Sequence, residues 1–176
     1  MAYNESMRNL TRPNRLAALG VLFLGPLLAM AGCGGEEVTA ESIAKAKRLW
    51  EQAKIRDYDL EWMSSGLSQA RYRVTVRDGS VRSIEAVLPD GRTYPVHPAE
   101  PKFYGVEGLF MIMSDELAQR KSNAPFGQPK GTKSVLRFTP DPKLGYPRSY
   151  RRDVLGAPMS LAIDVVRLVP EPPTRR

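Results

Sequence analysis

From Thr39 the chain repeats apolar residues at helical spacing. Ile43, Ala46, Trp50 and Ala53 recur at offsets of three and four, with Lys45, Lys47, Arg48, Glu51 and Lys54 largely off that stripe. Thr39 is placed to cap and Glu41 to occupy the first turn, so the pattern predicts an amphipathic helix with one face on a sheet. The period then drops to two. Tyr58, Leu60 and Trp62 alternate with Asp57, Asp59 and Glu61, the pattern of a half-buried strand. After a loop at residues 64–70, Tyr72, Val74 and Val76 alternate with Arg71, Arg73, Thr75 and Arg77. Asp78-Gly79 predicts a tight hairpin into residues 80–88, and Pro89-Asp90-Gly91 a turn into a short strand at 92–96. Pro95, Pro98 and Pro101 hold an extended loop. Val106, Leu109, Phe110, Met113 and Leu117 predict a second helix over 106–120, and further strands are expected at 134–139, 148–154 and 160–168. Helical and strand periodicity place Trp50, Trp62, Phe103, Tyr104 and Phe110 in or at the border of the core between helices and sheet, the alternative being that some line a groove for a lipid or peptide. The order α-β-β-β-(β)-α-β-β-β predicts an α+β domain over 39–168, an antiparallel sheet of about five to seven strands with two helices on one face. Residues 33–38 read as a flexible tether and 169–176 as a disordered tail.

The beginning of the chain follows another pattern. Residues 1–15 carry Arg8, Arg12 and Arg15 against Glu5, and residues 16–31 hold no charged or strongly polar side chain. Gly32, Cys33, Gly34 and Gly35 follow, and the charged composition starts at Glu36. A basic start, a short apolar run and small residues at its end make residues 1–32 a secretory signal. The run falls short of the roughly 20 residues of a spanning helix, and Gly20, Gly25 and Pro26 weaken it further. Met30-Ala31-Gly32-Cys33 resembles the lipobox of bacterial lipoproteins, with Met30 where Leu is usual. The resemblance implies cleavage before Cys33, a thioether-linked diacylglycerol on its sulfur and acylation (a palmitate-type chain) of the new amino terminus. Gly34, where Asp would signal retention at the inner membrane, leaves an outer-membrane destination open. The competing reading is a buried Cys that ends an apolar helix. With two or more acyl chains, each buried CH₂ contributing about 0.8 kcal/mol, anchoring is stable.

Composition narrows the chemistry. The 176 residues are 42% hydrophobic and 26% charged, with a net charge of +7, which is globular and suits one domain. A single Cys excludes internal disulfides, and a single His excludes multi-histidine metal centres. Removing residues 1–32 leaves +5, and lipidation of Cys33 leaves no thiol. The expected setting is the cell envelope, on the exported side of a membrane, with anionic lipid or an envelope protein as partner, no nucleic acid and no cofactor.

Tyr58–Trp62 (YDLEW), the Arg77-Asp78-Gly79-Ser80-Val81 hairpin, Gly108-Leu109-Phe110 and residues 138–150 (FTPDPKLGYPRSY) carry a second likeness. Over residues 50–168 the chain resembles a family of small bacterial lipoproteins and secreted proteins that carry a domain of unknown function. The resemblance implies fold and location, and brings no activity or catalytic residue.

Several residue sets have the chemistry of a site. Asp57, Asp59 and Glu61 share a strand face and offer oxygen donors for Ca²⁺. Arg71, Arg73 and Arg77 on the next strand compete for them, and adjacent strands usually pair, which favours a salt-bridged face. In the turn 141–147, Asp141 and Tyr146 form either a stiff ligand loop or a structural turn with Gly145 at positive φ; the residue types favour the turn. Arg148-Ser149-Tyr150-Arg151-Arg152 invites a nucleic-acid reading, but alternation splits it between two faces, and a solvated strand face is expected. His97, between Pro95 and Pro98, reads as an exposed loop histidine; a small hydrolase would use it or a carboxylate pair, and no nucleophile motif accompanies it. The reading that results is a non-enzymatic binding or assembly module, with a cation or small-ligand carrier and a small envelope hydrolase as alternatives.

Overall fold

The computed structural model describes residues 35–171. The expected signal at 1–32, the lipidation candidate Cys33 and residues 172–176 of the expected tail lie outside them. Eight strands form one open antiparallel sheet: β1 (Glu36–Glu37), β2 (Tyr58–Gly66), β3 (Ala70–Arg77), β4 (Ser80–Val87), β5 (Thr93–Pro95), β6 (Ser134–Pro140), β7 (Pro147–Val154) and β8 (Leu161–Pro170). Two helices accompany them, α1 (Ala40–Ala53) and α2 (Val106–Arg120). The strand order is β1-β6-β7-β8-β2-β3-β4-β5, so two meanders meet where β2 pairs with β8.

Each element forms for a local reason. Thr39 accepts the Ser42 N–H at 3.1 Å while Ser42 Oγ accepts the Thr39 N–H at 2.9 Å, a reciprocal box that starts α1. Asp78 and Gly79 both take positive φ, 52° and 71°, which matches the right-handed twist of the β3–β4 hairpin. Gly108 sits inside α2 because an added Cβ would meet the Phe103 backbone at 2.4 Å. The single-turn helix Pro101–Tyr104 can therefore pack directly onto α2.

The helices run antiparallel. Trp50 in the last turn of α1 donates to Glu107 in the first turn of α2, whereas Glu37, just ahead of α1, pairs with Arg120 in the last turn of α2. Both helices lie on the same sheet face, since Tyr58 touches Trp50 of α1 edge-on and bonds Glu107 of α2. Ile43, Ala46 and Trp50 close over Tyr58, Leu60, Val74, Leu136 and Phe138, with Leu109, Phe110 and Met113 completing the core. Trp62 is buried, while Phe103 and Tyr104 are half-buried at its border. Among the described residues no helix is long and apolar enough to cross a membrane.

Three expectations are corrected. The sheet has eight strands rather than five to seven, and a strand precedes the first helix. The extra strand is β1, taken from the expected tether: Glu36 and Glu37 pair with Phe138 and Arg137, and Val38 behind them is fully buried. A two-residue strand has no period to read, so only its partner reveals it. Likewise β8 runs on to Pro170, beyond the expected boundary at 168, because β2 offers it partners as far as Tyr58.

Candidate functional site

The sheet face away from the helices carries the carboxylates of the proposed cation site. Glu61 stands opposite Arg73 on β3 and is held by two guanidiniums, with Arg71 Nε donating at 2.6 Å and Arg73 Nε at 3.4 Å. Asp59 accepts from Arg77 at 3.1 Å, and Arg77 also pairs with Glu171. Asp57, just before β2, accepts the Asp78 N–H at 2.6 Å. Glu61 and Asp59 are thus held by three ion pairs with arginines, and Asp57 by a turn. Among the described residues no group of three or more His, Cys, Asp or Glu side chains is placed to hold a metal ion. The pairing expected from the alternation is the arrangement seen.

The turn at 141–147 has the structural geometry. Asp141 Oδ1 accepts the N–H groups of Lys143 and Leu144 at 2.9 and 2.8 Å, and the Asp141 backbone closes the loop with Gly145 and Tyr146. Gly145 has φ +79°, and a Cβ there would meet the Ala46 carbonyl oxygen at 2.2 Å. Tyr146 packs edge-on against Trp50, and partial burial raises its hydroxyl pKa. Asp141 and Tyr146 therefore serve the seam between this turn and α1.

Residues 148–152 do not form the expected solvated face. Tyr150 and Arg152 are 2% and 6% exposed, pointing to the helix side, while Arg151 pairs with Asp164 on the open face. Arg152 forms an ion pair with Glu116 of α2, donates through Nε to the Met159 carbonyl at 3.2 Å and lies 4.7 Å from the Phe126 ring centre. Tyr150 donates its hydroxyl proton to the other oxygen of Glu116. Burial, reinforced by Glu116, pushes the tyrosine pKa far up, so the proton stays and the bond keeps its direction. Burial also raises the Glu116 pKa, against the opposing pull of Tyr150 and Arg152. The signal for this cluster was present: Arg152 shares its strand parity with Tyr150 and Val154. Its partner Glu116 lies 36 residues away and could not be read locally.

His97 is exposed and lies on a depression of about 230 Å³ that also takes in Ser83 and Glu85. No hydrogen bond among the described residues links the three. A cleft of about 450 Å³ at the end of β3 and β4 is bordered by Arg71, Tyr72 and Tyr94.

A further concavity, about 430 Å³, lies between the two helices and was not foreseen. On α1 it is lined by Ala40, Ile43, Ala44 and Lys47, and on α2 by Ser114, Leu117, Ala118 and Lys121. Both stripes follow the same i, i+3, i+4, i+7 spacing, with a small residue, a branched apolar residue, an alanine and a lysine in that order. The small residues open the groove, and Ile43 and Leu117 form its buried floor. Because the helices are antiparallel, the two lysines stand at opposite ends. The repeated spacing was the signal available in the sequence.

No protein-family model matches the chain, and no curated protein matches it.

Proposed function

We propose that the protein is a membrane-anchored envelope lipoprotein of the small-lipoprotein family it resembles, held through a lipidated Cys33 and acting as a non-enzymatic binding or assembly module on the exported side. The observation that carries this reading is how closely the folded sheet follows Cys33 in the chain. Strand β1 starts three residues after Cys33, and its neighbour Val38 is buried. At about 3.3–3.6 Å per residue the connection reaches no more than about 11 Å, so an anchor at Cys33 keeps the domain at the bilayer surface. A net charge of +5 on the processed chain suits anionic lipid headgroups or an acidic envelope protein.

The test is mass spectrometry of the amino-terminal peptide together with fractionation of Cys33→Ala. A diacylglyceryl-modified Cys33, and loss of the variant from membranes, are expected. A mature chain that begins elsewhere, or a variant that remains in the membrane, overturns the anchor. Crosslinking in intact cells then identifies the partner; recovery of the anchored protein alone counts against an assembly role.

The hydrolase alternative draws support from Ser83, Glu85 and His97 bordering one depression. Ester hydrolysis that disappears in His97→Ala would establish it, and no turnover above the variant would dismiss it. The cation-carrier alternative loses weight because Asp57, Asp59 and Glu61 are each already engaged.

A further inference from the structure

Several features limit how the domain can stand on a membrane. The first described residue, Gly35, lies against the Phe138 backbone, since a Cβ there would meet the Phe138 carbonyl oxygen at 2.7 Å. From there the chain runs through β1 into the capping box of α1, and Ser42 Oγ donates to the Glu37 carbonyl at 3.1 Å. Glu37 is tied at 3.0 Å to Arg120, the neighbour of groove residue Lys121. The chain therefore emerges beside the end of the groove formed by Ala40 and Lys121.

On the open sheet face Arg71, Arg73, Arg77 and Arg151 are engaged with carboxylates, and Arg167, beside them, has no carboxylate partner among the described residues. On the exposed back of α1, Lys45 and Arg48 have no carboxylate partner among the described residues, and Lys47 is only loosely paired with Glu51 at 3.9 Å. Lys121 shares its end of the groove with Glu41. Between the lysines the floor is apolar, and Met111, three residues before Ser114 on α2, is 39% exposed. A cationic rim around an apolar floor is the pattern that meets a bilayer interface.

We propose that the groove between α1 and α2 is the membrane-facing surface of the domain, with anionic phospholipid headgroups bound by Lys47 and Lys121 over the Ile43–Leu117 floor. The proposal rests on the lipid anchor at Cys33, which brings the groove to the bilayer. It orients the open sheet face away from the membrane, toward whatever the module binds.

The experiment uses the mature lipidated protein reconstituted in phosphatidylglycerol–phosphatidylethanolamine vesicles, with phosphatidylcholine vesicles and detergent for comparison. Lipidation leaves no thiol, so Ala118→Cys in the groove or Thr75→Cys on the open sheet face takes a single fluorescent label. On anionic vesicles the label at 118 is expected to be shielded from iodide in the water and quenched by spin-labelled lipid. The label at 75 is expected to behave as it does in detergent. Lys47→Glu combined with Lys121→Glu should abolish the shielding while the protein stays on the vesicles.

Equal iodide access at 118 and 75 on vesicles that retain the protein overturns the groove assignment. So does shielding at 118 that persists in detergent, which would point to a second copy of the chain. Thiol labelling of the parent protein, or its loss from washed vesicles, refutes the anchor instead and thereby the premise of the proposal.

Discussion

The Tyr58 hydroxyl donates to Glu107 at 3.0 Å and accepts the Val106 N–H at 3.0 Å. A side chain from the middle of the sheet thus performs the capping that Gly105, at the start of α2, has no side chain to provide. Trp50 donates to the remaining Glu107 oxygen at 2.9 Å, so one carboxylate in the first turn of α2 joins α1, α2 and β2. Its position also suits the helix dipole. The pair explains how two helices with a shallow groove between them hold a fixed spacing.

Tyr58→Phe keeps the ring and removes the hydroxyl. Glu107 loses a donor and a buried N–H loses its acceptor. The expected cost is about 1–3 kcal/mol, read as a lower urea midpoint with an unchanged slope. A variant as stable as the parent would show that water replaces the hydroxyl.

The Glu116–Arg152 pair is costly to break from one side. Arg152→Met leaves the largely buried Glu116 carboxylate without its cation, with only the Tyr150 hydroxyl donating to it, and the expected loss is about 3–5 kcal/mol in chemical denaturation at neutral pH. The pH dependence has a definite sign. Because burial raises the folded-state pKa of Glu116, the folded protein holds this proton more tightly than the unfolded chain. Its contribution is most favourable below the unfolded carboxylate pKa and is lost as pH rises through the raised folded value. Stability measured across mildly acidic pH should show this downward component, and Glu116→Gln should remove it; an unchanged profile would contradict the assignment.

Gly145→Ala places a Cβ on the Ala46 carbonyl at a positive φ. Strain alone costs about 1–3 kcal/mol, and the clash adds to it by pushing the 141–147 turn off α1. Thermal unfolding should fall well below that of the parent. Gly91→Ala is the comparison, since its φ is also positive but nothing lies within 4 Å of the added Cβ.

The open sheet face should prove forgiving. Arg71 and Arg73 side chains are about half exposed, so Arg71→Ala or Arg73→Ala should cost only about 0.2–1 kcal/mol each. Millimolar Ca²⁺ should leave the melting temperature unmoved, because binding would have to displace guanidiniums from Asp59 and Glu61. A clear upward shift would reinstate the cation site.

Much of this was legible because it is local. The stripe Ile43–Ala46–Trp50, the alternation through Tyr58–Trp62 and Tyr72–Val76, the Asp78-Gly79 turn and the Asp141–Gly145 turn all state their geometry within a few residues. Opposite charges on strands joined by a short loop also made the Glu61 pairs readable. The sequence by itself determined two helices, the hairpin-linked strands and the polar outer face of the sheet. Tertiary structure decided what depends on partners distant along the chain: β1 as a strand, the β2–β8 junction, the burial of Arg152 against Glu116, Glu107 as a shared acceptor, and the groove. None of these has a local signature strong enough to dictate it. A two-residue strand has no period, and an arginine's burial depends on whether a carboxylate awaits it across the core. A groove appears only when two small-residue stripes are brought face to face.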